Sequence, residues 1–150
     1  MLSTRLVRLI ESHAEELAKG LVSHLKSHPR TPSLHHFSED QLRDRALSVY
    51  GHLGDWLSGE HQEDIRKTYE EFGARRAAEG IPLSEMLYGL AVTKNHLLEF
   101  AWTSMEGSSS MEVLGTCDLI FKVSRLFDNA AYCTAVGYEH HARHGKQHVA

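Results

Sequence analysis

A glycine–proline corner at residues 79–83 constrains the fold of this chain more than any other feature of its sequence. Gly80 predicts the end of one helix, because a left-handed residue just beyond a helix terminus costs glycine least. Pro82 then predicts the first turn of a second helix, where no amide partner is needed. From Leu83 onward the apolar residues have the three- and four-residue spacing of a helix with one buried face. They are Leu83, Met86, Leu87, Leu90, Ala91, Leu97, Leu98, Ala101 and Trp102.

The same spacing extends along the whole chain and predicts five helices, at about residues 2–27, 39–57, 60–79, 83–105 and 111–143. The third is the most charged and is expected on the surface. Ser38 and Gln41 form a capping box that predicts the start of the second helix. The residues expected to be buried on the fifth helix are Val113, Leu114, Cys117, Ile120, Phe121, Ser124, Phe127, Ala131 and Tyr138.

These patterns predict an all-α protein in which residues 1–150 form a single compact bundle of about five helices. The segments between the helices are short, and two of the three prolines lie in the one at residues 28–37. Residues 144–150 are expected to be a frayed tail. Periodicity leaves a plain bundle and a globin-like packing both open.

Composition excludes several classes of protein. With 150 residues, 41% hydrophobic and 24% charged, the chain has the size and balance of one globular domain. Its net charge of -4 argues against a nucleic-acid-binding protein. Charges throughout the first 17 residues exclude a signal peptide or a membrane span there. Cys117 and Cys133 lie about 24 Å apart on one predicted helix, so we expect two buried free thiols and a reducing cytoplasm.

Three segments of the chain resemble one known family. They read GHLGDWLSG at residues 51–59, FGARRAAEGIPLSEMLYGLAVTKNHLLEF at 72–100, and RLFDNAAYCTAVGYE at 125–139. In this order they resemble the N-terminal sensory domain of the RsbRD type, which belongs to the co-antagonist proteins of the stressosome. The central segment is the most specific, because Arg75 and Arg76 are followed there by the corner with Gly80 and Pro82.

The resemblance implies a non-enzymatic cytoplasmic sensory domain with a globin-like, all-α fold and no cofactor. It also implies a homodimer that signals to other proteins, without a membrane or nucleic acid as partner. We expect the dimer contact on the first or the fifth helix, since both carry apolar residues over more than one seam. No output domain follows the matching region before Ala150, so we expect either a free-standing regulator that acts through a separate signalling protein or a sensor that has lost its output.

Arg75 and Arg76 are candidates for contact with an anion or a protein partner, and ordinary solvated charges on the helix are the other interpretation. The resemblance adds a third, because the family has this pair just before the corner: the two arginines fix the corner by binding backbone carbonyls or Glu79. Gly80 and Pro82 are the structural residues of the same corner.

The twelve histidines suggest an alternative, a haem- or metal-binding globin-like protein. His96, in the central helix, is the first candidate for a haem ligand, and His52 is the second. His140, His144 and His148 recur every four residues, a spacing that can chelate a metal on a helix. Their terminal place favours a solvated tail, so no metal site is predicted.

An enzyme is the least favoured reading, and we predict no catalytic residues. A di-iron site needs two Glu-x-x-His motifs, whereas His13 and His96 precede their glutamates, Glu16 and Glu99. No serine or cysteine lies in the context of an activated nucleophile. The aromatic residues expected in the core can also line an apolar cavity between helices; they are Tyr50, Trp56, Tyr69, Tyr88, Phe100 and Trp102.

Overall fold

The computed structural model describes residues 2–104 and 109–149, with side chains for 4–104 and 109–144. All regular secondary structure in this part of the chain is helical and none of it is strand, which confirms the predicted all-α class. The helices are α1 (Leu2–Ser12), α2 (Ala14–Ser27), α3 (Glu39–Tyr50), α4 (Leu53–Leu57), α5 (Gln62–Ala78), α6 (Leu83–Thr103) and α7 (Ser110–Val149), with a 3₁₀ turn at Pro32–His36. No helix among these residues is both long and apolar enough to cross a bilayer.

The predicted count of about five helices is wrong, because the first two predicted helices are each divided. The first breaks at His13, where the ring Nδ1 lies 2.9 Å from the Leu9 carbonyl oxygen and Ser12 Oγ donates to the same oxygen at 2.8 Å. Side chains that compete for a helix carbonyl in this way bend the helix. The second breaks at Gly51, after which the amide of His52 reaches back only three residues.

The capping signal at the start of α3 is present in the structure. The amide of Gln41 donates to Ser38 Oγ at 3.1 Å, and the amide of Ser38 donates to Gln41 Oε1 at 3.0 Å, so the predicted capping box is confirmed. Most of the loop predicted before the last helix lies at 105–108, outside the described residues. Helical backbone continues to Val149, and the expected fraying of residues 144–150 stays a prediction.

Helix α7 is the central element of the fold, since it packs against α1, α4, α5 and α6. Its closest approach is to α5, at Gly73 and Gly137. A Cβ atom added to Gly73 would overlap the carbonyl oxygen of Thr134, and one added to Gly137 would overlap that of Glu70. Most charged residues of α5 are exposed as expected, but Arg76 is buried, and the glycine Gly73 makes the tightest helix contact described.

The face of α7 that packs into the core differs from the predicted one. Val113, Leu114, Cys117 and Phe121, which were expected to be buried, are exposed. Of the predicted positions Phe127 is buried, and the core face is rotated by about one residue along the helix. The buried residues of α7 are Thr116, Leu119, Val123, Leu126, Phe127, Ala130, Cys133, Thr134 and Gly137.

Candidate functional site

The corner between α5 and α6 is closed by backbone hydrogen bonds. Gly80 has a φ of 75°, its amide donates to the Ala77 carbonyl, and the amide of Ile81 donates to the Arg76 carbonyl, both at 3.1 Å. This is the Schellman arrangement, which requires a left-handed residue where Gly80 stands. Tyr138 on α7 donates its hydroxyl to the Ile81 carbonyl at 2.6 Å, so a third helix holds the corner in place.

The start of α6 is tied to the 3₁₀ turn. Pro82 is the residue that precedes α6 rather than a member of its first turn. Three residues further on, Glu85 is only 6% exposed. Its two carboxylate oxygens accept hydrogen bonds from the backbone amide and the hydroxyl of Ser33, at 2.8 and 2.6 Å. The buried carboxylate is therefore hydrogen-bonded on both oxygens, as a buried charge requires.

Arg76 is the buried cation of this region, with an exposure of 6%. Its Nη1 lies 2.6 Å from Oε2 of Glu79 on the same corner. The guanidinium carbon also lies 4.5 Å from the ring centre of Phe37 and 5.4 Å from that of Phe72. A planar cation is stabilised by such ring faces, so Arg76 links α5, the corner and the end of the 3₁₀ turn.

Two further arginines, Arg45 and Arg75, lie near Arg76, and their positive charges have fewer neutralising partners. The guanidinium carbon of Arg45, on α3, is 4.0 Å from the centre of the same Phe72 ring. Burial, and then repulsion from Arg76 and Arg75, lower the pKa of Arg45 from its usual range. Its guanidinium still stays protonated at neutral pH. Among the described residues neither Arg45 nor Arg75 has a carboxylate within 4.0 Å.

The three arginines line a cavity of about 280 Å³ between α2, α3, α5 and α6. Most of its wall is apolar, with Trp56 of α4 among the lining residues. Burial raises the pKa of Tyr69 to about 12, and its hydroxyl has no hydrogen-bond partner within the described chain. The cavity therefore combines an apolar wall, a neutral hydroxyl and a cluster of cations.

His96, the candidate haem ligand, lies elsewhere. Its ring meets that of His24 edge-on at 5.6 Å and faces Gly20, and it does not line the cavity. His24 also stacks on His28 at 5.0 Å, and its Nε2 is buried with no hydrogen-bond partner among the described residues. Burial, and then repulsion from His24, lower the pKa values of His28 and His96. His52, the second candidate, is exposed just before α4.

The other candidate metal and thiol groups are scattered. His140 and His144 lie with their Nε2 atoms 3.0 Å apart, while the side chain of His148 falls outside the described residues. Within the described residues no three histidine, cysteine or acidic side chains are grouped to hold a metal. Cys133 is buried, and burial raises its pKa, but Cys117 is exposed, so the expectation of two buried thiols is wrong for Cys117.

Sequence reasoning brought together the residues of the corner but missed those that reach it from other helices. Arg75, Arg76, Gly80 and Pro82 all lie at the corner, with Arg75 exposed and Arg76 buried. Arg45 was missed, although it interrupts the apolar face of α3 between Leu42 and Ala46. That interruption is the one local signal that could have marked it. No local signal indicates that Tyr138 reaches the corner from α7.

Comparison with known families identifies a family model that covers almost the whole chain. The model of the RsbT co-antagonist protein rsbRD N-terminal domain matches residues 4–147. No curated protein and no solved structure matches the chain.

Proposed function

The chain belongs to the family of the RsbT co-antagonist protein rsbRD N-terminal domain, and from this we propose that it is a non-enzymatic sensory domain. In this proposal it acts in the cytoplasm as a homodimer and passes its signal to a separate protein of the stress response. A globin-like arrangement of the helices is part of the proposal. The family match supports the proposal, because it covers residues 4–147 and so includes α2 to α6 and most of α1 and α7.

The observation that carries the dimer is an exposed apolar stripe on α7. Met111, Leu114, Phe121 and Tyr132 are 64%, 65%, 67% and 71% exposed. Intervals of 3, 7 and 11 residues place them on one side of the helix, roughly opposite the buried side that includes Val123. Large apolar side chains grouped in this way on a surface are typical of a protein interface.

The charges along this α7 stripe are self-complementary. Asp118 and Arg125 lie on the same side of the helix as Leu114 and Phe121, at heptad spacing. If two copies of α7 cross antiparallel with their centre just after Phe121, Asp118 of each copy lies opposite Arg125 of the other. A two-fold axis requires such reciprocal pairs, and a parallel crossing would instead oppose like charges.

The proposed mechanism is a shift between two helix arrangements. Helix α7 carries the α7 stripe on one side and packs against α5 and α6 on the other. The cavity lies between those two helices and α2 and α3. A ligand or partner that binds one arrangement more tightly shifts the population toward it, and α7 carries the change to the dimer interface.

The proposal includes no cofactor. His96, which the haem alternative requires, contacts His24 and does not line the cavity. Haem binding through His96 would therefore require a site other than this cavity. Expression with a haem precursor, followed by a visible spectrum, tests this point, and a stoichiometric Soret band would contradict the proposal.

The dimer is tested by exchanging the two charges of the α7 stripe. We expect Asp118→Arg and Arg125→Asp each to weaken the dimer about tenfold or more, because each opposes like charges across the interface. The double variant restores opposite charges and should recover most of the affinity. Sedimentation analysis over a range of protein concentrations measures all four dissociation constants.

A matched control lies on the same helix. Lys122→Glu changes a charge next to the α7 stripe and removes the pair with Asp118, whose Oδ2 lies 2.9 Å from Lys122 Nζ. This loss is local to one copy, so we expect a smaller effect on dimerisation. A double variant no better than the single ones would refute the antiparallel arrangement, and a wild-type monomer would refute the dimer.

A further inference from the structure

The cavity lined by the arginines has more positive charge than its neighbours neutralise. Arg76 has one carboxylate partner, Glu79. The two acidic residues on the cavity wall, Glu71 and Glu85, do not neutralise the charges of Arg45 and Arg75. Glu85 is hydrogen-bonded to Ser33, and within the described chain Glu71 has no cationic group within 4.0 Å. Arg45 and Arg75 are thus left at the cavity without a counter-ion from the protein.

An uncompensated, partly buried guanidinium is unfavourable, and a bound anion relieves that cost. Phe72 holds the guanidinium of Arg45 at one ring face, which restricts its movement while its N–H donors stay available. A planar guanidinium fork binds a carboxylate through two parallel hydrogen bonds. The charge and shape at the cavity therefore suit a carboxylate group.

The rest of the cavity determines which kind of chain or ring can be attached to the carboxylate group. Its wall is formed largely by apolar side chains such as Leu25, Trp56, Met86 and Leu90. A volume of about 280 Å³ equals that of roughly nine liquid water molecules, and apolar walls favour a hydrocarbon over those waters. The cavity volume is also close to the lower limit of about 300 Å³ for small-molecule sites.

We propose that this cavity binds a small organic carboxylate with an apolar chain or ring of about eight carbons. Its carboxylate contacts Arg45 and Arg75, and its apolar part lies between α2, α3, α5 and α6. Tyr69 offers a hydroxyl within the same cavity. The action of this ligand as a signal rests on the sensory function proposed above, whereas its binding does not.

The experiment uses Trp56 as the reporter, since it lines the cavity. The only other tryptophan, Trp102, is 64% exposed, so the Trp102→Phe variant leaves Trp56 as the sole tryptophan. Its fluorescence is titrated with octanoate, with 1-octanol as the uncharged match and acetate as the match without a chain. We expect saturable binding of octanoate in the sub-millimolar range and binding at least tenfold weaker for the other two.

Substitutions then locate the contact. Arg45→Gln should weaken octanoate binding by roughly 10- to 100-fold and leave 1-octanol unchanged, because only the charged head loses a partner. Arg43→Gln is the matched control on the same helix. Arg43 pairs with Glu15 at 2.9 Å and does not line the cavity, so its loss should not affect binding. Gly89→Leu adds a side chain to the cavity wall and should weaken both octanoate and 1-octanol.

Each result decides the inference. Equal affinities for octanoate and 1-octanol would overturn the assignment of an anion. No binding of either, or an Arg43→Gln effect as large as that of Arg45→Gln, would overturn the site itself. A dimer that binds neither probe overturns only the ligand. Conversely, Arg45-dependent binding by a monomer supports the ligand and contradicts the dimeric sensor. Circular dichroism spectra confirm that each variant is folded.

Discussion

At the scale of single residues, the corner shows which requirements are local and which are not. Gly80 has a φ of 75°, and this left-handed backbone conformation is by itself enough to require glycine there. Arg76 is different, because its low exposure depends on Phe37, at the end of the 3₁₀ turn, as well as on Phe72, one turn earlier on α5. A sequence pattern can therefore identify Gly80 as structural, but it cannot separate the buried Arg76 from the exposed Arg75.

His28 and His96, which both contact His24, give a prediction of how stability depends on pH. Burial, and then repulsion from His24, lower the pKa values of both residues below the ordinary 6.5. The unfolded chain thus binds more protons than the folded one as the pH falls through this range. Their contribution to stability is fully present above about pH 6.5 and is lost as the pH falls through the lower folded pKa values.

We therefore expect the urea midpoint to fall between about pH 7.5 and about pH 5.5, and His96→Gln to reduce that fall. His52→Gln is the control, since His52 is exposed just before α4. Parallel urea titrations at the two pH values measure the difference for each protein. The same pH dependence in wild type and His96→Gln would show that His96 is not responsible.

At the scale of elements, α7 demonstrates the limit of periodicity. Its sequence has apolar residues at helical spacing on two sides, one through Leu119 and Val123 and one through Leu114 and Phe121. Both satisfy the pattern of a buried face, so the pattern predicts a long helix but not its rotation. The rotation depends on contacts with α5, where Gly73 and Gly137 together permit the close approach of the two backbones.

The contact between α5 and α7 makes a stability prediction. Gly137→Ala would place a methyl group against the carbonyl of Glu70, which is backbone and cannot rotate away. We expect the free energy of unfolding to fall by about 1–3 kcal/mol or more, as for an overpacked core. Urea unfolding at one fixed protein concentration measures it.

Gly20→Ala is the matched control for this substitution. The nearest atoms to an added Cβ at Gly20 belong to the ring of His96, at 3.9 Å, which is ordinary van der Waals contact. Alanine should therefore raise the stability by up to about 1 kcal/mol through its helix propensity. Effects of the same sign and size at Gly20 and Gly137 would contradict the steric explanation.

At the scale of the whole molecule, α7 links the core to the proposed dimer. Helices α1, α4, α5 and α6 all pack on it, so its unfolding should expose the core and the interface together. We expect the free energy of unfolding of the wild-type protein, expressed per mole of dimer, to rise by up to about 1.4 kcal/mol for each tenfold increase in protein concentration. Asp118→Arg should lose most of this dependence. Thermal unfolding at several concentrations tests both, and a concentration-independent wild type would contradict the coupling.

The sequence by itself determined the features that short stretches of chain control. Helical spacing established the all-α class, and the serine–glutamine pair and the glycine–proline corner established where α3 begins and where α5 ends. These depend on backbone conformation and on groups within a few residues of each other.

Only the tertiary structure decided which apolar side of α7 is buried, and that Arg45 of α3 joins Arg75 and Arg76 of α5 at one cavity. The physical reason is that both outcomes depend on contacts between helices distant in sequence. Amphipathic spacing is the same whichever partner covers a face, and a charge carries no local mark of the neighbours that will surround it.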